Sequence, residues 1–163
     1  MSVNRRKFLK TGGATAVGLA AVSTTVAQTA KTKTAKSSVK KRKVLTDRAP
    51  KPAGPYSQAI IANNTIYVAG QVPTNPKTGK IEATTFEEQA TQVFENIKAI
   101  LEAAGSSMAN VVSARVFLSD LNNFQAMNNI YRQYFTGDFP ARTTVGVQLS
   151  ANMQIEVDCI AVL

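Results

Sequence analysis

The chain of 163 residues has no histidine, no tryptophan and one cysteine, Cys159. Without histidine there is no imidazole base, no Ser-His-Asp triad and none of the usual zinc ligand sets. With one cysteine no disulfide can close within the chain. Any chemistry must come from Arg, Lys, carboxylates, Tyr, Ser, Thr, amides and the backbone. The length suits one ordinary domain.

Acidic side chains are scarce, ten against nineteen basic ones, and a formal charge of +9 suggests a nucleic-acid partner until its distribution is considered. Residues 1–47 hold eleven basic side chains against Asp47 alone, whereas residues 48–163 hold eight basic and nine acidic ones. A near-neutral body behind a basic leader offers no electrostatic footprint for DNA or RNA. No nucleic-acid partner is expected.

The leader has three parts. The basic opening "MSVNRRKFLK" is followed by the mildly apolar "TGGATAVGLAAVSTTVA", which ends on the small-residue site Thr25-Val26-Ala27. That is the layout of an export signal, and the apolar part is too short and too rich in glycine for the roughly 20 strongly apolar residues of a membrane span. Arg5-Arg6, followed by Lys7-Phe8-Leu9-Lys10, resembles a twin-arginine (Tat) signal, with Asn4 where Ser or Thr is more usual. Residues 1–27 are therefore expected to be a signal peptide that engages the Tat translocon and delivers a periplasmic or otherwise exported protein. Residues 28–47 carry seven basic side chains and few large apolar ones, and are expected to be a solvated, disordered linker. A weak contact of residues 31–43 with an anionic surface is the functional alternative.

The globular pattern begins near residue 48. Two β-branched runs, Gln58 to Ala62 and Thr65 to Val72, flank Asn63-Asn64, a dipeptide that tolerates a tight hairpin turn. Thr85 and Glu88 stand in capping-box register before Phe86, Ala90, Val93, Ile97, Ile100, Leu101 and Ala104, which recur at three and four until Gly105. "VVSARVFLSD" reads as a strand with Val112, Ala114, Val116 and Leu118 on one face. "NNFQAMNNIYRQYF" reads as a second helix with an asparagine cap and Phe124, Met127, Tyr131 and Phe135 on one face. "RTTVGVQL" and "MQIEVDCIAVL" complete a ββαβαββ order with the last two strands expected to pair. The fold class is α+β: two layers, a mixed sheet with two helices on one face. The other face is partly apolar, and a second copy of the same sheet is its simplest cover.

Arg142 follows Pro140-Ala141 and opens a strand with no other charge. A guanidinium presents forked donors to a carboxylate. Glu156 lies 14 residues on, in the neighbouring predicted strand, so the two could form an ordinary cross-strand ion pair or could share a site.

The body resembles the reactive intermediate deaminase (RidA/YjgF) family from Ala49 to Leu163. The resemblance is carried by Gly54-Pro55-Tyr56-Ser57-Gln58, Gly70-Gln71-Val72-Pro73, Glu88-Gln89-Ala90, Asn96-Ile97, Phe117-Leu118-Ser119-Asp120-Leu121, Pro140-Ala141-Arg142-Thr143 and Ile155-Glu156-Val157. It implies a chorismate-mutase-like fold over residues 48–163 and a homotrimer built around a central barrel, with sites in the clefts between subunits. It further implies hydrolysis of 2-enamine and 2-imine acids such as 2-aminoacrylate to the 2-keto acid and ammonia, with no metal or organic cofactor.

Residue by residue, the resemblance implies that Arg142 grips the substrate carboxylate and Glu156 orients or deprotonates the attacking water. Tyr56 and Asn128 would line the cleft; core packing and a helix-surface amide are their ordinary alternatives. Thr144 stands where many members have a cysteine, and Ala69 where many have a serine. Thr144 could still hydrogen-bond in the cleft, whereas Ala69 could not. Those two departures keep open a second function, a non-catalytic protein that binds small carboxylates or keto acids in the same cleft. Cys159 is expected in the core.

Overall fold

A computed structural model describes residues 39–150 and 152–163. The signal peptide expected at 1–27 and most of the linker lie outside the described residues. Six strands form one sheet: β1 (Lys41–Val44), β2 (Ala59–Ala62), β3 (Thr65–Gln71), β4 (Val111–Leu118), β5 (Ala141–Gly146) and β6 (Ile155–Val162). Two helices, α1 (Phe86–Ala104) and α2 (Phe124–Tyr134), cover one face. The spatial order is β1-β2-β3-β6-β4-β5, with every neighbouring pair antiparallel except β4 and β5. This is the expected α+β two-layer architecture.

The helix α1 forms where the periodicity places it. Thr85 Oγ1 accepts from the Glu88 backbone N–H at 3.3 Å, and the Glu88 carboxylate accepts from the backbone N–H groups of Thr84 and Thr85 at 3.1 and 3.2 Å. These bonds, the Thr85 backbone first, hold the Glu88 carboxyl below the usual range. Gly105 ends the helix at φ +90°, a left-handed conformation that a side chain would strain. Val93, Phe94, Ile97, Ile100 and Leu101 pack against Ile66, Val116, Ile155 and Val157 of the sheet, all essentially inaccessible to solvent. In the other helix, Asn123 takes the capping position without a side-chain bond, whereas Asp120 caps the short turn before it through the Asn122 N–H at 2.9 Å.

Three expectations need correction. The solvated linker does not extend to residue 47, because Lys41–Val44 pair with β2, Lys41 opposite Ala62 and Val44 opposite Ala59. Backbone hydrogen bonding and burial of Val44 suffice for this strand, while Lys41, Arg42 and Lys43 keep their charges in solvent. The folded body therefore starts before residue 48 and is more basic than the composition of 48–163 implied.

The strands β5 and β6 do not pair with each other. Helix α2 acts as the crossover that lays β5 parallel to β4 at the sheet edge, and β6 inserts between β3 and β4. Nor does Val112 face the core: the register with β6 shifts between Val111 and Ser113, and the bulge turns Val112 out to solvent while Val111 is buried.

On the face without helices, Tyr67 and Val145 are exposed, and Phe117, Ile160 and Val162 are half-buried beside Glu156, Asp158 and Arg115. Asp158 and Arg115 form an ion pair at 2.9 Å.

Candidate active site

Sheet register decides where Arg142 points. It lies beside Ala114 of β4, whose side chain is buried under the helices, so Arg142 projects from the same face, toward α2. Its Nη2 donates to Asn128 Oδ1 at 2.8 Å and its Nη1 lies 3.6 Å from Met127 Sδ. The guanidinium carbon sits 4.6 Å from the centre of the Tyr131 ring and 5.7 Å from that of Phe124. Each cation–π contact of this kind is worth about 0.5–1 kcal/mol at an exposed site and more when dry. Phe124, Met127, Asn128 and Tyr131 are spaced at three and four, so one helical face forms the whole cradle. No carboxylate lies within 4.0 Å of Arg142 among the described residues. Its remaining N–H groups are available to a ligand.

A cavity of about 290 Å³ opens beside the guanidinium, lined by Asn128, Tyr131, Arg132, Phe139, Pro140 and Arg142. Thr144, two residues along β5 and aligned with Val116, faces the same way. Its Oγ1 and the Tyr131 Oη are both buried and make no hydrogen bond among the described residues. Burial pushes the Tyr131 phenol up to about 12, with Arg142 opposing and Cys159 adding to the effect, so the hydroxyl is neutral at physiological pH. Cys159 is itself buried in the core as expected.

Glu156 points the other way. Ile155 and Val157 on either side of it are buried under the helices, and Glu156 projects from the helix-free face, opposite Phe117 of β4. Burial first and the charge of Asp158 second raise its carboxyl above the usual range. Gly70 makes this position possible. A Cβ at residue 70 would collide with Glu156 Oε1 and reach 3.0 Å from its Cδ.

The arginine and the glutamate thus stand on opposite faces of the sheet, with β4 between their strands, and make no pair in one chain. Tyr56 is remote from Arg142. It lies in the loop before β2, exposed, with its hydroxyl accepting from the Ala53 N–H at 3.1 Å. Four strand spacings, about 19 Å, separate β2 from β5. Of the five residues singled out in the sequence, the fold brings together Arg142, Asn128 and Thr144.

The roles of Tyr131, Arg132 and Gly70 were missed. The heptad-like face of α2 carried the signal for Tyr131, but it reads equally well as core. Among the described residues no three His, Cys, Asp or Glu side chains converge as a metal site would require.

Residues 46–163 match the family described as Endoribonuclease L-PSP. A 2-iminobutanoate/2-iminopropanoate deaminase of Dermatophagoides farinae is 40% identical over 124 residues, which span 76% of this chain and 97% of the relative. Among solved structures, RidA from the Antarctic bacterium Psychrobacter sp. PAMC 21119 superposes with a TM-score of 0.72 at 40% identity, covering 75% of this chain and 99% of that one. TdcF of E. coli, solved with bound serine, gives 0.71 at 36% identity over 75% and 98% of the two chains. With the sheet order, the helix-covered face and the residue pattern all in agreement, the chain belongs to the endoribonuclease L-PSP family, the reactive intermediate deaminase (RidA/YjgF) family.

Proposed function

We propose that this protein is a hydrolytic deaminase of 2-enamine and 2-imine acids, converting compounds such as 2-aminoacrylate to the 2-keto acid and ammonia. The observation that carries the reading is the Arg142 guanidinium, immobilised by Asn128 and Tyr131 at the wall of a small cavity, with no carboxylate partner among the described residues. The similarity to a 2-iminobutanoate/2-iminopropanoate deaminase supports the same chemistry.

The reaction asks little of the protein. The enamine tautomerises to the imine, water adds to C2 of the C=N bond, and the C–N bond of the carbinolamine breaks to release ammonia. Arg142 binds the carboxylate in two-point fashion and fixes C2 in the cavity. Glu156, its carboxyl raised by burial, takes a proton from the attacking water and returns one to the departing nitrogen. Positioning of this kind supplies much of the acceleration, since the imine is already electrophilic.

A single chain cannot join these two groups, because they occupy opposite sheet faces. We therefore read the site as shared: the Arg142 wall from one subunit, the Glu156 and Gly70 surface from another, and Tyr56 contributed across the same boundary. The half-buried apolar row of Phe117, Ile160 and Val162 with exposed Tyr67 supports the packing of these open faces into a homotrimeric barrel.

A second reading has one observation in its favour. TdcF was solved with bound serine, a small carboxylate, and Ala69 and Thr144 leave this site without two groups common among relatives. A carboxylate-binding protein would use the same Arg142 wall without turnover. The family description names an endoribonuclease, yet the near-neutral body offers no basic track for RNA.

The test is to generate 2-aminoacrylate with a dehydratase and follow keto-acid release with the full chain and with Arg142→Ala. The deaminase reading expects acceleration over buffer and a loss on the order of 10²-fold in the variant. No acceleration by the wild type would leave the binding reading. Export through a Tat-type leader is proposed alongside, with Lys40, Lys41, Arg42 and Lys43 available to an anionic surface. Cell fractionation of Arg5→Lys/Arg6→Lys should find the protein retained, and unchanged export would exclude this route.

A further inference from the structure

Arg142 is not the only cation on the cavity. Arg132, one residue past Tyr131 in the last turn of α2, lines the same space. Among the described residues its side chain makes one hydrogen bond, from Nη1 to the neutral Asn129 Oδ1, long at 3.5 Å, and no carboxylate lies within 4.0 Å of it. The other lining groups are Asn128, Tyr131, Phe139 and Pro140, none of them acidic. The folded body has carboxylates to spare, and Arg48 and Arg115 both found one. Two guanidinium groups, that of Arg132 on the exposed rim, therefore line a cavity of about 290 Å³ to which this chain itself brings no carboxylate.

A monocarboxylic imine would neutralise Arg142 alone and leave Arg132 facing its uncharged tail. A second carboxylate three or four carbons from the first would answer both cations, with the aliphatic stem against Tyr131 and Phe139. The helix terminus opposes this slightly, since the last carbonyls of α2 favour a cation and repel an anion. Their influence fades within a turn, whereas a guanidinium carries full charge. Resting on the deaminase reading, we propose that the preferred substrates are 2-imino dicarboxylates of four or five carbons, selected by Arg132. Water adds across C=N, and the products are the 2-oxo dicarboxylate and ammonia, so the atoms balance without any oxidant. The substrate's source must be a reaction that oxidises the amino group of an acidic amino acid to the imine.

The experiment generates 2-iminosuccinate and 2-iminopropanoate in situ with amino-acid oxidases and catalase, and measures keto-acid release by the full chain. The wild type should favour the dicarboxylic imine in kcat/KM by about tenfold, the effect of one charge-assisted hydrogen-bonded pair. In Arg132→Gln that ratio should collapse toward one, chiefly through KM, and Arg132→Lys should restore part of it. Added salt should erode the preference. A wild-type ratio at or below one, or a ratio unchanged by Arg132→Gln, overturns the proposal.

If neither imine is hydrolysed, the deaminase reading fails separately, and calorimetric binding decides. Succinate bound more tightly than butyrate, with the difference lost in Arg132→Gln, upholds dicarboxylate recognition. Equal binding, or none, refutes it.

Discussion

At the scale of single residues, the tightest constraint on the site is a missing side chain. Glu156 can lie against β3 because Gly70 has no Cβ, and Gly70→Ala would drive the carboxylate off that position. We expect Gly70→Ala to lower kcat far more than it raises KM, and to move the acid limb of the pH profile to lower pH as the carboxyl escapes into solvent. A profile that keeps its shape would deny Gly70 this positioning role. Glu156 itself is held at some cost to stability. Its folded-state carboxyl titrates above the unfolded value of about 4.3, so the native state binds the extra proton and stability falls as pH rises through the interval between the two values. Glu156→Gln should match the wild type in melting temperature near pH 4 and exceed it near pH 7, while losing on the order of 10²- to 10⁴-fold in turnover. Melting curves at the two pH values check the first part; a difference that does not grow with pH would count against the burial of this carboxyl.

At the scale of elements, α1 is the pillar of the sheet and α2 is the tool-holder. The cap of α1 is local and testable: Thr85→Ala removes one partner of the capping box and should destabilise the domain by about 1 kcal/mol, seen in calorimetry as a melting point lower by about 4 °C. Buried amides lock the loops to this helix, Asn96 through the carbonyls of Val72 and Thr74, and Gln89 through Asn152 and Gln154. Helix α2 was legible as amphipathic, but its face has two tasks. Met127 and Tyr131 are buried in the core, and with Asn128 they also hold Arg142. Periodicity cannot separate packing from positioning, because both need the same spacing. At the opposite edge, β1 was hidden for the reverse reason. Its three charged residues read as linker, yet an edge strand needs only backbone pairing and one buried side chain, and its lysines discourage pairing with another edge.

At the scale of the molecule, a site divided between two sheet faces predicts complementation. Arg142→Ala and Glu156→Gln should each be nearly inactive alone. Unfolded together and refolded at equal amounts, they should recover about one quarter of wild-type activity, the statistical share of clefts that combine an intact arginine with an intact glutamate from different subunits. Light scattering should give the oligomer in both variants. Failure to recover activity in mixed oligomers would mean that the two residues do not meet between chains.

What the sequence determined by itself is what depends on near neighbours. The capping box and Gly105 placed α1, alternation placed β6, and Asn63-Asn64 placed the hairpin of β2 and β3, Asn63 taking φ +55° as a tight turn requires. The absence of histidine limited the chemistry before any coordinate was needed. Strand order and facing were decided only in three dimensions. A 14-residue separation suited a hairpin, yet parallel pairing of β5 with β4 and the central place of β6 put Arg142 and Glu156 back to back. The reason is that the face a strand residue takes follows from its partner strand and register, which are set by how the whole sheet buries its apolar rows under α1 and α2. The residues of the site could be read along the chain, and the family resemblance implied a cleft between subunits; that Arg142 and Glu156 face opposite ways could not be read there.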